Sequence, residues 1–114
     1  MAKVSIAEGL KDEILKKFKE ESKIIFKQMY SLEENPNKGK ALGNIGGIVI
    51  KELRYKNFRF YFITDGHKLK IMDEQSLADL LIRFVRMSDK KYQQQTINEI
   101  RKILLDLGSK GFDN

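Results

Sequence analysis

IKELRYKNFRFYFITDGHKLKIM, residues 50–72, alternates apolar and polar side chains around two short turn signals. Alternation with a period of two marks strands that bury one face. Residues 48–55, 58–64 and 67–72 read as three strands of a meander. Asp65-Gly66 is the stronger hairpin signal because both residues tolerate positive φ, and Lys56-Asn57 serves the same way. Closing the chain at Lys56-Asn57 sets Tyr55 opposite Phe58, Arg54 opposite Arg59, Leu53 opposite Phe60 and Glu52 opposite Tyr61. Closing it at Asp65-Gly66 sets Phe62 opposite Leu69, Tyr61 opposite Lys70 and Ile63 opposite Lys68. One face then collects Leu53, Tyr55, Phe58, Phe60, Phe62, Leu69 and Ile71 for helices to cover. The other collects Glu52, Arg54, Arg59, Tyr61, Lys68 and Lys70.

Two arginines opposed on a sheet repel each other, at a cost of about 0.2–1 kcal/mol. Glu52 alone cannot neutralise four bases. A phosphate-bearing ligand can, because guanidinium forks grip phosphate through paired hydrogen bonds and a nearby tyrosine stacks on a base. The cluster therefore predicts an RNA-facing surface. The plainer alternative is a solvated basic face in which Glu52 pairs with one arginine.

Outward from this ribbon, residues 4–6 read as a short first strand. Leu10, Ile14 and Phe18 recur at helical spacing with Leu15 beside them, and Ile24, Ile25, Met29 and Leu32 do the same. The two runs form one long helix or a helical hairpin bent at KFKEES, and Asn35-Pro36 ends the second. NKGKALGNIGG, residues 37–47, reads as a loop. LLIRFVR, residues 80–86, reads as a fourth strand, with continuation of a helix begun near Gln75 as the alternative. Ser88-Asp89 is an N-cap signal. Ile97, Ile100, Leu104 and Leu107 then mark an amphipathic helix closed by Gly108.

At 114 residues the chain has material for one domain, spanning residues 1–114, with one modest core. It has no cysteine, which excludes disulfides and thiolate metal sites. It shows no signal-peptide pattern and no apolar run of membrane-spanning length, which predicts a cytoplasmic protein without a membrane partner. The net charge of +6 favours a polyanionic partner or, more plainly, reflects a lysine-rich surface. His67 beside Gly66 reads as a solvent-facing turn residue. No metal or cofactor is implied: Asp65-Gly66 lacks the spaced oxygen ligands of a calcium loop, and LGNIGG lacks the lysine and hydroxyl of a phosphate loop. Met72 and Met87 read as filler of the core or sheet edge.

Residues 31–72, SLEENPNKGKALGNIGGIVIKELRYKNFRFYFITDGHKLKIM, resemble the RelE/ParE superfamily of toxin–antitoxin toxins, most of all its HigB-like, phage-associated branch. A helix ending in NP, a Lys/Gly loop with LG, then IKELRY and FRFYF carry the resemblance. IRFVRMSDKKYQQQTINEIRKIL, residues 82–104, is similar to the branch's last strand, basic residues and helix. The resemblance implies an α+β, RelE-like fold: a small antiparallel meander packed against an N-terminal helical pair and a C-terminal helix. It also implies a ribosome-dependent messenger RNA interferase neutralised by an acidic antitoxin. By position Arg54, Arg59, Arg86 and Tyr92 match family positions, as do Lys90 and Lys91. Arg54 and Arg59 would hold the scissile phosphate and Tyr61 or Tyr92 would stack or donate a proton, with Arg86 in the same catalytic set. Lys51, Lys68, Lys70, Lys90 and Lys91 would contact RNA. The chain departs from the branch where Arg86-Met87 replaces two consecutive lysines, where DEQSLAD (residues 73–79) is inserted, and where His67 lies away from the last strand. A gyrase-inhibiting toxin of the same superfamily and a non-catalytic nucleic-acid- or protein-binding module are the other readings.

Overall fold

A computed structural model describes residues 1–71 and 73–112. The chain runs β1 (Lys3–Ile6), α1 (Glu8–Phe18), α2 (Ser22–Tyr30), β2 (Lys40–Ile45), β3 (Ile48–Tyr55), β4 (Phe58–Asp65), α3 (Gly66–Ile71), α4 (Glu74–Ala78), β5 (Leu81–Asp89) and α5 (Gln93–Leu107). Short 3-10 turns occupy Lys19–Glu21, Ser31–Glu33 and Gly108–Phe112. The five strands form one mixed sheet in the order β1-β5-β4-β3-β2, with β1 parallel to β5 and every other neighbour antiparallel. This is an α+β fold. No described helix is long and apolar enough to cross a membrane.

The register expected at Lys56-Asn57 is the one adopted: Tyr55 pairs with Phe58, Arg54 with Arg59, Leu53 with Phe60 and Glu52 with Tyr61. Lys56 makes the turn with φ of 55°. The second expected hairpin does not form. Asp65 instead caps α3, its Oδ1 accepting the backbone N–H of His67 at 2.9 Å and of Lys68 at 3.1 Å. An aspartate before glycine suits a helix start as well as a tight turn, because its carboxylate satisfies amides that the first helical turn leaves unpaired. The expected strand over 67–72 is therefore helical through Ile71, and Met72 lies outside the described residues. DEQSLAD holds α4, capped by Asp73, whose Oδ1 accepts the Ser76 N–H at 2.7 Å.

Residues 37–47 are not all loop either. They contain β2, which reverses into β3 through Gly46 and Gly47 at φ of 55° and 87°. Only glycine takes two successive positive φ values cheaply, so this pair makes the hairpin that Asp65-Gly66 does not. The break in the N-terminal helical pair falls at Lys19, which takes φ of 50° and ψ of −114°.

Both sheet faces are covered. On one, α1 and α2 pack Leu10, Ile14, Ile25 and Met29 against Leu53, Phe60, Phe62 and Phe84. On the other, α5 packs Ile97, Ile100 and Leu104 against Ile50, Tyr61, Ile63 and Val85. Leu107, expected on that buried stripe, is 65% exposed. Gly108 turns the chain at φ of 66°, and Phe112 folds back into the cluster instead. Met87 packs half-buried against the first cluster. The radius of gyration is 13.4 Å, as a single compact domain of this length requires (about 13 Å). The sheet's two edges differ. At β1 the Val4 N–H is taken by Glu33 Oε2 at 2.9 Å, and β2 carries a register shift between Ala41 and Gly43.

Candidate nucleic-acid interface

Two rows of side chains cross the α5-covered face at the end nearer the β3–β4 turn. One runs Lys40, Glu52, Tyr61 and Arg86 across four strands, and the next runs Arg54, Arg59 and Ser88 across three. With strands about 4.8 Å apart, the shorter row spans roughly 10 Å. Just beyond it, Asp89 ends β5 and its Oδ1 accepts the Tyr92 N–H at 3.0 Å, which sets Lys90, Lys91 and Tyr92 at the same end; Ser88 and Asp89, expected to cap the helix, belong to the strand instead, and α5 begins after Tyr92 without a side-chain cap.

Glu52 governs the electrostatics here. Its side chain is fully buried, with Oε1 3.5 Å from Arg54 Nη2 and Oε2 3.8 Å from Arg59 Nε. These contacts lie at or beyond hydrogen-bond range, and neither carboxylate oxygen nor Arg59 Nε has a hydrogen-bond partner among the described residues. The carboxylate is held in the sheet by the charge of two guanidinium groups. Arg59 is itself 7% exposed and donates Nη1 to the Asn57 carbonyl at 3.2 Å. Arg54 is 53% exposed.

The expected face of unmatched bases is thereby corrected. Both arginines lie on one face, but Glu52 engages both, so the pair is no free clamp for an anion. Lys68 and Lys70 leave the sheet on α3, at the opposite end of β4. Lys51 points to the other face, where it is buried. Its Nζ donates to the Asn37 carbonyl at 3.0 Å and lies 5.9 Å from the Phe62 ring centre. Burial pushes the Lys51 ammonium's pKa down. A core cation of this kind is not placed to touch RNA.

Tyr61 is buried too, its hydroxyl 2.7 Å from Ser88 Oγ. Burial raises its pKa, which removes it as a base near neutral pH. Arg86 donates Nε to Glu99 Oε1 at 2.8 Å and remains partly exposed. Tyr92 is half exposed, with Lys91 Nζ 5.5 Å from its ring centre, and Lys90 and Lys91 are exposed. His67 is exposed in the first turn of α3. The fold thus gathers Arg54, Arg59, Tyr61, Arg86, Lys90, Lys91 and Tyr92 at one end and excludes Lys51, Lys68 and Lys70. Lys40, Ser88 and Glu99 join the cluster without having been expected. For Lys40 the available signal was Gly46-Gly47 between Ile45 and Ile48, which makes residues 40–45 a strand. Among the described residues no group of three or more histidines and carboxylates could hold a metal ion.

No family model, curated protein or solved structure matches this chain. The resemblance to RelE/ParE toxins is one of short motifs in residues 31–72 and 82–104.

Proposed function

We propose that this chain is the toxin of a toxin–antitoxin pair, acting on messenger RNA at the ribosome through the end of the sheet built by the β3–β4 turn and the β5–α5 junction. The observation that carries the reading is the gathering there of exposed Arg54, Lys90 and Lys91 beside the half-exposed ring of Tyr92. Cations interleaved with an aromatic ring suit a single strand, neutralising its phosphates and stacking a base. The motif resemblance supplies the toxin and the ribosome; the geometry supports polyanion binding. In this reading Arg54 and the two lysines hold the RNA backbone, Glu52, itself beside Arg59, draws Arg54 into place, and Tyr92 supplies the stacking surface. An acidic antitoxin segment would neutralise the same cations.

A second reading, RNA binding without cleavage, is favoured by Tyr61, whose burial raises its pKa and removes it as a base near neutral pH. Translating ribosomes carrying a defined message separate the two. Cleavage fragments that fall about tenfold or more with Arg54→Ala support the nuclease, since a lost phosphate-binding cation weakens the transition state by an amount of this order. Intact message with salt-sensitive RNA binding supports the second. Uninhibited translation with no RNA binding overturns both, and inhibited DNA supercoiling would turn attention to gyrase. Arg59→Ala is unsuited to this test because it removes a buried partner of Glu52.

A further inference from the structure

At the end of the sheet away from the β3–β4 turn, a pocket of about 230 Å³ opens over the first residues of β3 and β5 and the last of β4. Its lining is mostly aliphatic, from Ile48, Ile63 and Leu81, and Leu81 stays 49% exposed. Two cations line it without an acid of their own. Lys68 of α3 is half-buried, and its Nζ makes no hydrogen bond or ion pair among the described residues. Arg83 of β5, also half-buried, donates Nε and Nη2 to the Phe112 carbonyl at 3.2 and 2.9 Å and Nη1 to the Ser5 hydroxyl at 3.0 Å. Those acceptors are neutral, and the ion pairs among the described residues join Glu52 to Arg54 and Arg59, Lys56 to Glu21 and Arg86 to Glu99. A half-buried cation without an opposite charge is incompletely compensated, so an anion entering the pocket gains from both. Asp65 and Asp79 line the pocket as well, but the first is engaged by the His67 and Lys68 amides and the second is exposed to water.

We infer that this pocket binds a small aliphatic carboxylate, its head on the Lys68 ammonium and drawn also by the Arg83 charge, its hydrocarbon tail on Ile48, Ile63 and Leu81. A charge-assisted hydrogen bond fixes the head, and covering partly exposed aliphatic surface holds the tail, as in small-molecule pockets generally. The two aspartates limit the charge of the guest. Beside them a single negative charge is tolerated and a phosphate dianion is opposed, while an amine with the same tail meets the two cations. The pocket shares no residue with the basic end of the sheet, so it stands or falls independently of the RNA reading.

The test is titration of the isotope-labelled protein at neutral pH with 4-methylpentanoate, with 4-methylpentylamine and with inorganic phosphate, followed by amide chemical shifts. The carboxylate is expected to move amides around residues 48, 63–68 and 81–83 in a saturable way. The amine and phosphate are expected to bind at least about tenfold more weakly, the difference made by one charge-assisted hydrogen bond. Lys68→Gln, which removes no contact of the folded chain, is expected to weaken the carboxylate about tenfold. Leu81→Ala, a change at a half-exposed side chain, is expected to weaken it about threefold by shortening the apolar lining. Amine or phosphate binding as tight as the carboxylate, shifts lying elsewhere, affinity unmoved by both variants, or no saturable shift with any of the three overturns the assignment.

Discussion

Glu52 buries a carboxylate between two guanidinium groups, which gives unlike consequences for its two partners. Glu52→Ala leaves Arg59 charged, 7% exposed and without its acid, and is expected to cost about 3–5 kcal/mol in urea unfolding. Arg54→Ala removes a half-exposed partner and is expected to cost less than about 1 kcal/mol, which qualifies it for functional assays. Equal losses for the two variants would refute this division. The opposition of Arg54 and Arg59 was readable from residues 50–63, because the turn at Lys56-Asn57 and the alternation of side chains fix which residues pair. Their depth was not. It depends on α5 docking over Ile50, Tyr61, Ile63 and Val85, a long-range contact that local alternation cannot report. The signal lay in the same rows: Ile50 and Ile63 share a face with the arginines, so that face is apolar at one end and charged at the other.

Among the elements, the turn between α1 and α2 carries the plainest strain. Lys19 sits at φ of 50° and ψ of −114°, a region hostile to a side chain, and it is exposed. Lys19→Gly is expected to stabilise the fold by about 0.5–1 kcal/mol, read as a rise in melting temperature, the relief of strain exceeding the added freedom of the unfolded chain. A fall would mean that the lysine side chain contributes something its exposure hides. Elements were recognisable where pattern and local chemistry agreed, as in α5, β1 and the β3–β4 pair. They were misread where one signal served two structures. HKLKI alternates like a strand, yet Asp65 capping makes it a helix with Leu69 as its one buried anchor. KALGNI has no aromatic residue and Ile45 as its one β-branched side chain, and its pairing is imposed by the glycine turn that follows.

Contacts between distant parts of the molecule set its response to acid and salt. The Tyr55 hydroxyl and the Lys56 ammonium converge on Glu21 Oε2 at 2.6 and 2.9 Å, tying the α1–α2 junction to the β3–β4 turn. The Tyr55 hydrogen bond, then that from Lys56, holds the Glu21 carboxyl below its ordinary range. A depressed folded pKa means stability that is present above the unfolded value, about 4.3, and is lost as pH falls through the folded one. Unfolding midpoints between pH 6 and 3 should therefore drop more steeply for the native chain than for Glu21→Gln, and parallel curves would remove this tie from the acid response. With Arg54, Lys90 and Lys91 as phosphate contacts, the logarithm of single-strand affinity should fall against the logarithm of salt with a slope of roughly −2, shallower by about 0.7 in Arg54→Ala. A flat dependence would count against backbone contacts at this end.

The two borders of the sheet carry unequal protection. A glutamate side chain occupies one outward amide of β1, that of Val4, while β2 has a register shift between Ala41 and Gly43. A chain with one receptive border can add a single strand there, from another copy or from a foreign peptide, and that addition uses up the template. Growth into a fibre needs two receptive borders per copy, and the glutamate held on Val4 works against the second.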